Sequence, residues 1–192
     1  MDETGGTREH ILGIALGLFA GRGYEAAGVQ EIVSQAGITK PTLYYHFKSK
    51  QGLLEAIVAE YGAVLAETTR KAAAYNHDLV TNLTSLFRET MKFARGNPDF
   101  YRLMMSLFSA PPGTEAFLAG TGLRRQLVGI LEELFTAASR DHGNMKRRQK
   151  IYAETFMGLL ETFGVLTVNN EISLDDHLSF RIVHQYMHGI FS

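Results

Sequence analysis

Residues 29–54 read VQEIVSQAGITKPTLYYHFKSKQGLL, and their spacing decides the fold. Two short runs, Val29–Ala36 and Lys40–Phe47, each long enough for about two helical turns, flank Gly37-Ile38-Thr39. Two short helices joined by a tight glycine-containing turn form a helix-turn-helix. Gly37 supplies the backbone freedom of the turn. Ile38 can plug the space between the two helices. Thr39 can cap the second helix, and Pro41 sits in its first turn, where a missing N–H costs nothing. Leu43 and Phe47, four apart, point inward as anchors. Lys40, Thr42, Tyr44, Tyr45 and His46 then point outward.

Working outward, the breakers are few and cleanly placed: Gly21-Arg22-Gly23, Gly96-Asn97-Pro98, Pro111-Pro112-Gly113, His142-Gly143-Asn144 and Asn169-Asn170. Between them apolar residues recur at three and four, not at two, so the chain reads as all-α. A first helix is expected over Thr7–Ala20, with Thr7 as its cap and Ile11, Ile14, Ala15, Leu18 and Phe19 on one face. After the two short helices, a long one is expected from Ser49 to about Ala73. Others follow at Asp78–Arg95, Asp99–Ser109, Thr114–Arg140, Lys146–Val168 and Leu174–Phe191. That makes about nine helices. They divide into an N-terminal three-helix unit, 1–52, and a C-terminal helical domain, 53–192.

The whole-chain charge speaks against nucleic acid at first sight. Nineteen Lys and Arg face 20 Asp and Glu in 192 residues, a net of -1. Split by segment, the sum changes meaning. Gly37–Gly52 holds no carboxylate and carries Lys40, Lys48 and Lys50, so this stretch is +3 and the rest of the chain is -4. Phosphate contacts need such a local excess of positive charge, with hydroxyl and amide donors beside it. Cys is absent, which removes disulfides, thiol nucleophiles and Cys-based zinc sites together. No run of 18 uncharged apolar residues predicts a membrane span, and the start predicts no signal peptide. The expected location is the cytoplasm.

The string from Val29 to Leu53, above all Leu43-Tyr44-Tyr45-His46-Phe47 followed by Lys50, resembles the DNA-binding signature of TetR/AcrR-type transcriptional regulators. Phe19-Ala20-Gly21-Arg22-Gly23-Tyr24-Glu25-Ala26-Ala27 is similar to the ending of that family's first helix. The resemblance covers roughly Thr7 to Ile57. It implies that Thr39, Lys40, Thr42 and Tyr45 face the major groove, with Pro41 in the same turn. It also implies that Tyr44, His46 and Lys50 hold phosphates and that Gln30 meets the backbone. One departure is Gly28, where the family commonly caps its second helix with Thr or Ser.

For the rest of the chain the resemblance is in layout and size, and it implies that 1–52 is a helix-turn-helix DNA-binding unit and 53–192 a helical ligand-binding and dimerisation domain. Phe100–Phe108 is hydrophobic nearly all round, which suits either a cavity wall or a plain core helix. The candidate lining of a ligand pocket is Tyr61, Leu65, Phe87, Met91, Tyr101, Met104, Met105, Phe108, Leu131, Phe135, Phe156 and Met157. Such a pocket takes a mostly apolar molecule, with Thr155, Glu154 or Arg102 as the few polar groups that could orient it. On the last two helices, Leu159, Phe163 and Leu166 mark one stripe, and Leu178, Ile182, Tyr186, Met187 and Ile190 the other. Two such helices cannot cover each other, and pairing with a second copy makes a four-helix bundle. The resemblance implies the same homodimer interface. His177, His184 and His188 share a face, but no further ligand completes a metal set, so no metal is expected. The run Lys146-Arg147-Arg148-Gln149-Lys150 reads as a solvated helix start.

The expected function is a homodimeric, ligand-responsive transcriptional regulator, most often a repressor. It would bind a near-palindromic double-stranded operator and be released by a small apolar effector. The alternative is a helical small-molecule-binding protein or enzyme without a DNA role. No phosphate loop, metal motif or nucleophile–base set points to catalysis, and no cofactor is expected.

Overall fold

The computed structural model describes residues 3–189. The described residues form nine α-helices and no strand. These are α1 (Glu3–Arg22), α2 (Val29–Gln35), α3 (Lys40–Phe47), α4 (Lys50–Ala72), α5 (Leu79–Gly96), α6 (Pro98–Phe108), α7 (Glu115–Ala138), α8 (Gln149–Val168) and α9 (Asp176–His188).

Several helix ends differ from the sequence expectation. α1 begins at Glu3, so Thr7 lies inside the helix and does not cap it. A 3-10 turn at Gly143–Met145 and a positive φ of 66° at Arg147 delay α8 to Gln149. α9 begins after Asp175, whose carboxylate accepts from the Leu178 N–H at 2.7 Å, and it ends at His188, with Gly189 as its C-cap at φ 78°.

The chain divides into two compact units. The first holds the residues up to Ala63 together with Asp99–Leu123. Its core is built by Ile11, Phe19, Ile32, Leu43, Leu53, Leu54 and Ile57, all completely buried. α1 packs on α2, and α2 on α3. Within the same unit the Phe100 ring stacks on Tyr61 at 5.2 Å. Here too α6 and α7 approach so closely that a Cβ on Gly120 would lie 2.6 Å from the Leu107 carbonyl oxygen.

The second unit holds Val64–Pro98 and Arg124 onward. α5 is its axis, packed against α8 and α9. The buried Asn82 pins the turn before α5: its side-chain N–H groups donate to the carbonyls of Ala72 and Ala74 at 3.0 and 2.9 Å. Arg124 on α7 bonds Glu154 and Glu161 on α8, each at 2.9 Å. α8 is long and apolar enough to cross a membrane. Yet Ala153, Phe156, Met157, Leu160, Gly164, Thr167 and Val168 bury one side of it in this unit, as in a core helix.

Candidate nucleic-acid interface and effector cavity

The turn between α2 and α3 is made as its residues dictate. Gly37 takes φ 63°, which a Cβ would disfavour. Thr39 caps α3, its hydroxyl oxygen accepting from the Thr42 N–H at 3.4 Å and lying 2.9 Å from the Thr42 hydroxyl. Gly28 stands at the N-cap of α2 with no side chain to bond the helix. Leu43 and Phe47 are buried, as their spacing requires. The opposite face of α3 stays open: Tyr45 is 78% exposed and Tyr44 43%. Thr39, Lys40 and Pro41 are exposed beside them, with Thr42 and His46 half-buried. Gln30, on α2, is exposed. The Tyr45 and His46 rings meet edge-on at 5.1 Å.

Lys50 at the start of α4 has a local partner that sequence spacing did not suggest. Its ammonium lies 4.3 Å over the Tyr24 ring and donates to the Glu25 carbonyl at 3.3 Å. Tyr24 is buried, and its hydroxyl donates to Glu115 on α7. Burial and then the Glu115 carboxylate push the phenol pKa well above its ordinary value. All nine residues expected at DNA thus lie on one short segment, and Lys50 is fixed to the loop after α1.

The second unit contains a cavity of about 550 Å³. It lies where the ends of four helices meet. Leu79 and Leu83 come from α5, Phe135 from α7, and Ile151, Tyr152 and Thr155 from α8. Tyr186 and Met187 come from α9, and His142 and Met145 from the connection before α8. The Tyr186 hydroxyl donates to the Tyr152 carbonyl at 2.9 Å, and burial raises its pKa.

Of the twelve residues expected to line a pocket, this cavity takes Phe135 alone. Leu65, Phe87, Met91, Leu131, Phe156 and Met157 are buried in the second unit as core. Tyr61, Tyr101, Met104, Met105 and Phe108 belong to the first unit. Thr155, expected as a polar orienting group, does line it, while Glu154 is held by Arg124 and Arg102 by Asp99. Tyr186 and Met187, expected at an interface, line the cavity. His142 and Met145 lie in a connection with no periodicity to announce them. The pair Leu79 and Leu83, four apart at a helix start, was the one readable signal. Leu159, Phe163, Leu166, Leu178 and Ile182 are half-buried on α8 and α9, and Ile190 lies outside the described residues.

The family model of bacterial regulatory proteins, tetR family, matches residues 11–57, which include the whole candidate DNA face. The chain is 28% identical to the HTH-type transcriptional activator FasR of Mycolicibacterium smegmatis over 168 residues, 88% of this chain and 75% of that protein. It is 39% identical to the HTH-type transcriptional repressor KstR2 of the same species over 54 residues, 28% of this chain and 26% of that protein. Its fold is similar to that of the transcriptional regulator FadR of Bacillus subtilis, solved in complex with stearoyl-CoA. The TM-score is 0.78 at 19% identity, over 95% of this chain and 98% of that one.

Proposed function

The chain belongs to the TetR family of bacterial regulatory proteins, and from that premise we propose that it is a homodimeric repressor released from its operator by a small molecule in the cavity of the second unit. It is a DNA-binding transcriptional regulator and not an enzyme. The observation that carries the proposal is the outer face of α3. Two tyrosines stand exposed there, with Lys40, Thr42 and His46 beside them and no carboxylate from Gly37 to Gly52. Exposed aromatics and a lysine on a short helix give a duplex donors for base edges and phosphates.

In the proposed mode, residues 1–52 read DNA and 53–192 sense and dimerise. Thr39, Lys40, Thr42 and Tyr45 enter the major groove. Tyr44, His46 and Lys50 take phosphates, and Gln30 supports them. Two copies place two α3 helices in successive major grooves, and two-fold symmetry then demands half-sites about one helical turn apart. Exposed apolar side chains on the last two helices, Val165 at 37% and Phe180 at 45%, support pairing through α8 and α9. α4 begins in the DNA-reading part, 1–52 (called the head), at Lys50 and ends in the second unit at Ala72. A ligand that favours one arrangement of the helices around the cavity biases the head through it, and only a difference in affinity between the two states can do so. The lining is mostly apolar, so the effector's buried part is apolar.

Gel retardation of the region upstream of the chain's own gene tests the proposal. Retardation that Tyr45→Ala abolishes supports it. No retardation at low salt contradicts the proposal for this region.

A further inference from the structure

The segment that joins two lining residues of the cavity carries a charge pattern that an apolar effector does not use. Met145 and Ile151 both line it. The five residues between them, Lys146-Arg147-Arg148-Gln149-Lys150, are not lining residues themselves, but Lys146 and Lys150 each adjoin one in sequence. Lys146, Arg147, Arg148 and Lys150 are all exposed. Among the described residues, none of the ion pairs uses any of these four cations. The nearest carboxylates along the chain are already engaged. Asp141 accepts from the Tyr75 hydroxyl at 2.9 Å and pairs with His77 at 2.7 Å, while Glu154 is held by Arg124.

The interior makes the opposite demand. Leu79, Leu83, Phe135 and Met187 are apolar. The hydroxyls of Tyr186 and Thr155 donate to carbonyls of α8, at 2.9 Å to Tyr152 and 2.8 Å to Ile151. A mostly apolar chamber, with cations outside any ion pair in the segment joining two of its lining residues, fits one kind of molecule. Resting on the reading of this cavity as the sensing site, we infer that the effector is an amphiphile with an anionic head. Its aliphatic part lies against Leu79, Leu83, Phe135 and Met187. Its carboxylate or phosphate head meets Lys146, Arg147, Arg148 and Lys150, beside the first N–H groups of α8, which also favour an anion.

Calorimetric titration of the full chain with sodium decanoate, decyl phosphate and 1-decanol separates head from tail. At least one anion is expected to bind about tenfold or more tighter than the alcohol, by an attraction between exposed charges that added salt weakens. Binding of both anions assigns the site to any anionic head, and binding of one alone chooses between carboxylate and phosphate. In a K146A/R147A/R148A/K150A variant the preference is expected to fall to about twofold or less, a few tenths of that attraction. Melting temperature and operator affinity should stay at wild type, because these side chains are exposed. Thr155→Trp, a bulky group at an exposed lining position, is expected to weaken all three ligands together.

Equal binding of alcohol and anions overturns the inference, as does a preference that survives the four alanines, or no binding at all. Loss of operator affinity in the same variant would assign the basic run to DNA and overturn it as well. The DNA reading is separable: wild-type protein that retards operator but prefers no anion keeps that reading and loses this one. A preference without retardation does the reverse.

Discussion

Tyr45 stands 78% exposed in the middle of α3, a place where no core needs an aromatic ring. Tyr45→Ala is expected to weaken operator binding by about ten- to hundredfold, the range of a lost base contact. Lys50→Ala is expected to weaken binding evenly across sequences and to lower the salt slope by about one, as for a lost phosphate contact. Fluorescence anisotropy with operator and scrambled duplex at several salt concentrations checks both. Gly52 gives a second test at this scale. A helical glycine normally gains stability on change to Ala, by about 0.5–1 kcal/mol. Here the added Cβ would sit 2.1 Å from the Phe47 carbonyl oxygen, a backbone atom that cannot swing away. Gly52→Ala is therefore expected to cost about 1–3 kcal/mol in urea unfolding, the usual range for overpacking.

At the scale of elements, helix existence was legible and helix ends were less so. Leu43 and Phe47 announced the buried side of α3, and Thr39 and Pro41 its start. Thr7 misled, because a residue able to cap is equally tolerated within a helix that extends past it. The cavity was legible least. It forms where helix ends meet a connection, and His142 and Met145 belong to no periodic stripe. Large side chains such as Phe87 and Phe156, which look like pocket walls in a sequence, are spent on the core between α5 and α8. Caps and turns of the second unit also carry its acid sensitivity. Asp78 accepts from the Thr81 N–H at 3.0 Å and from its hydroxyl at 2.7 Å, which holds its pKa below the ordinary value. Asp141 is held low by His77 and then by Tyr75. A lowered folded pKa means stabilisation that is complete above the unfolded value, about 3.9 for Asp, and that disappears as pH falls through the folded value. Urea midpoints are expected to drop below about pH 4. In the D78N/D141N double variant that part of the drop should be absent.

For the whole molecule, a near-neutral sum hides a basic reading segment on an acidic remainder, +3 against -4. In the proposed dimer the basic segment is doubled, so each copy needs only a modest charge. Phe180→Glu, at an exposed position of α9, is expected to yield a monomer in sedimentation equilibrium and to weaken operator binding by more than tenfold, since one half-site then binds alone. A variant that remains dimeric would move the interface away from this face of α9. Footprinting of the upstream region by the wild-type protein checks whether α3 reads DNA with two-fold symmetry. The expected result is two protected half-sites with near-dyad symmetry, about 10–10.5 base pairs between centres or a multiple of that, occupied by two chains and lost with Tyr45→Ala. Protection of a single site by one chain, or the same footprint from Tyr45→Ala, would contradict it.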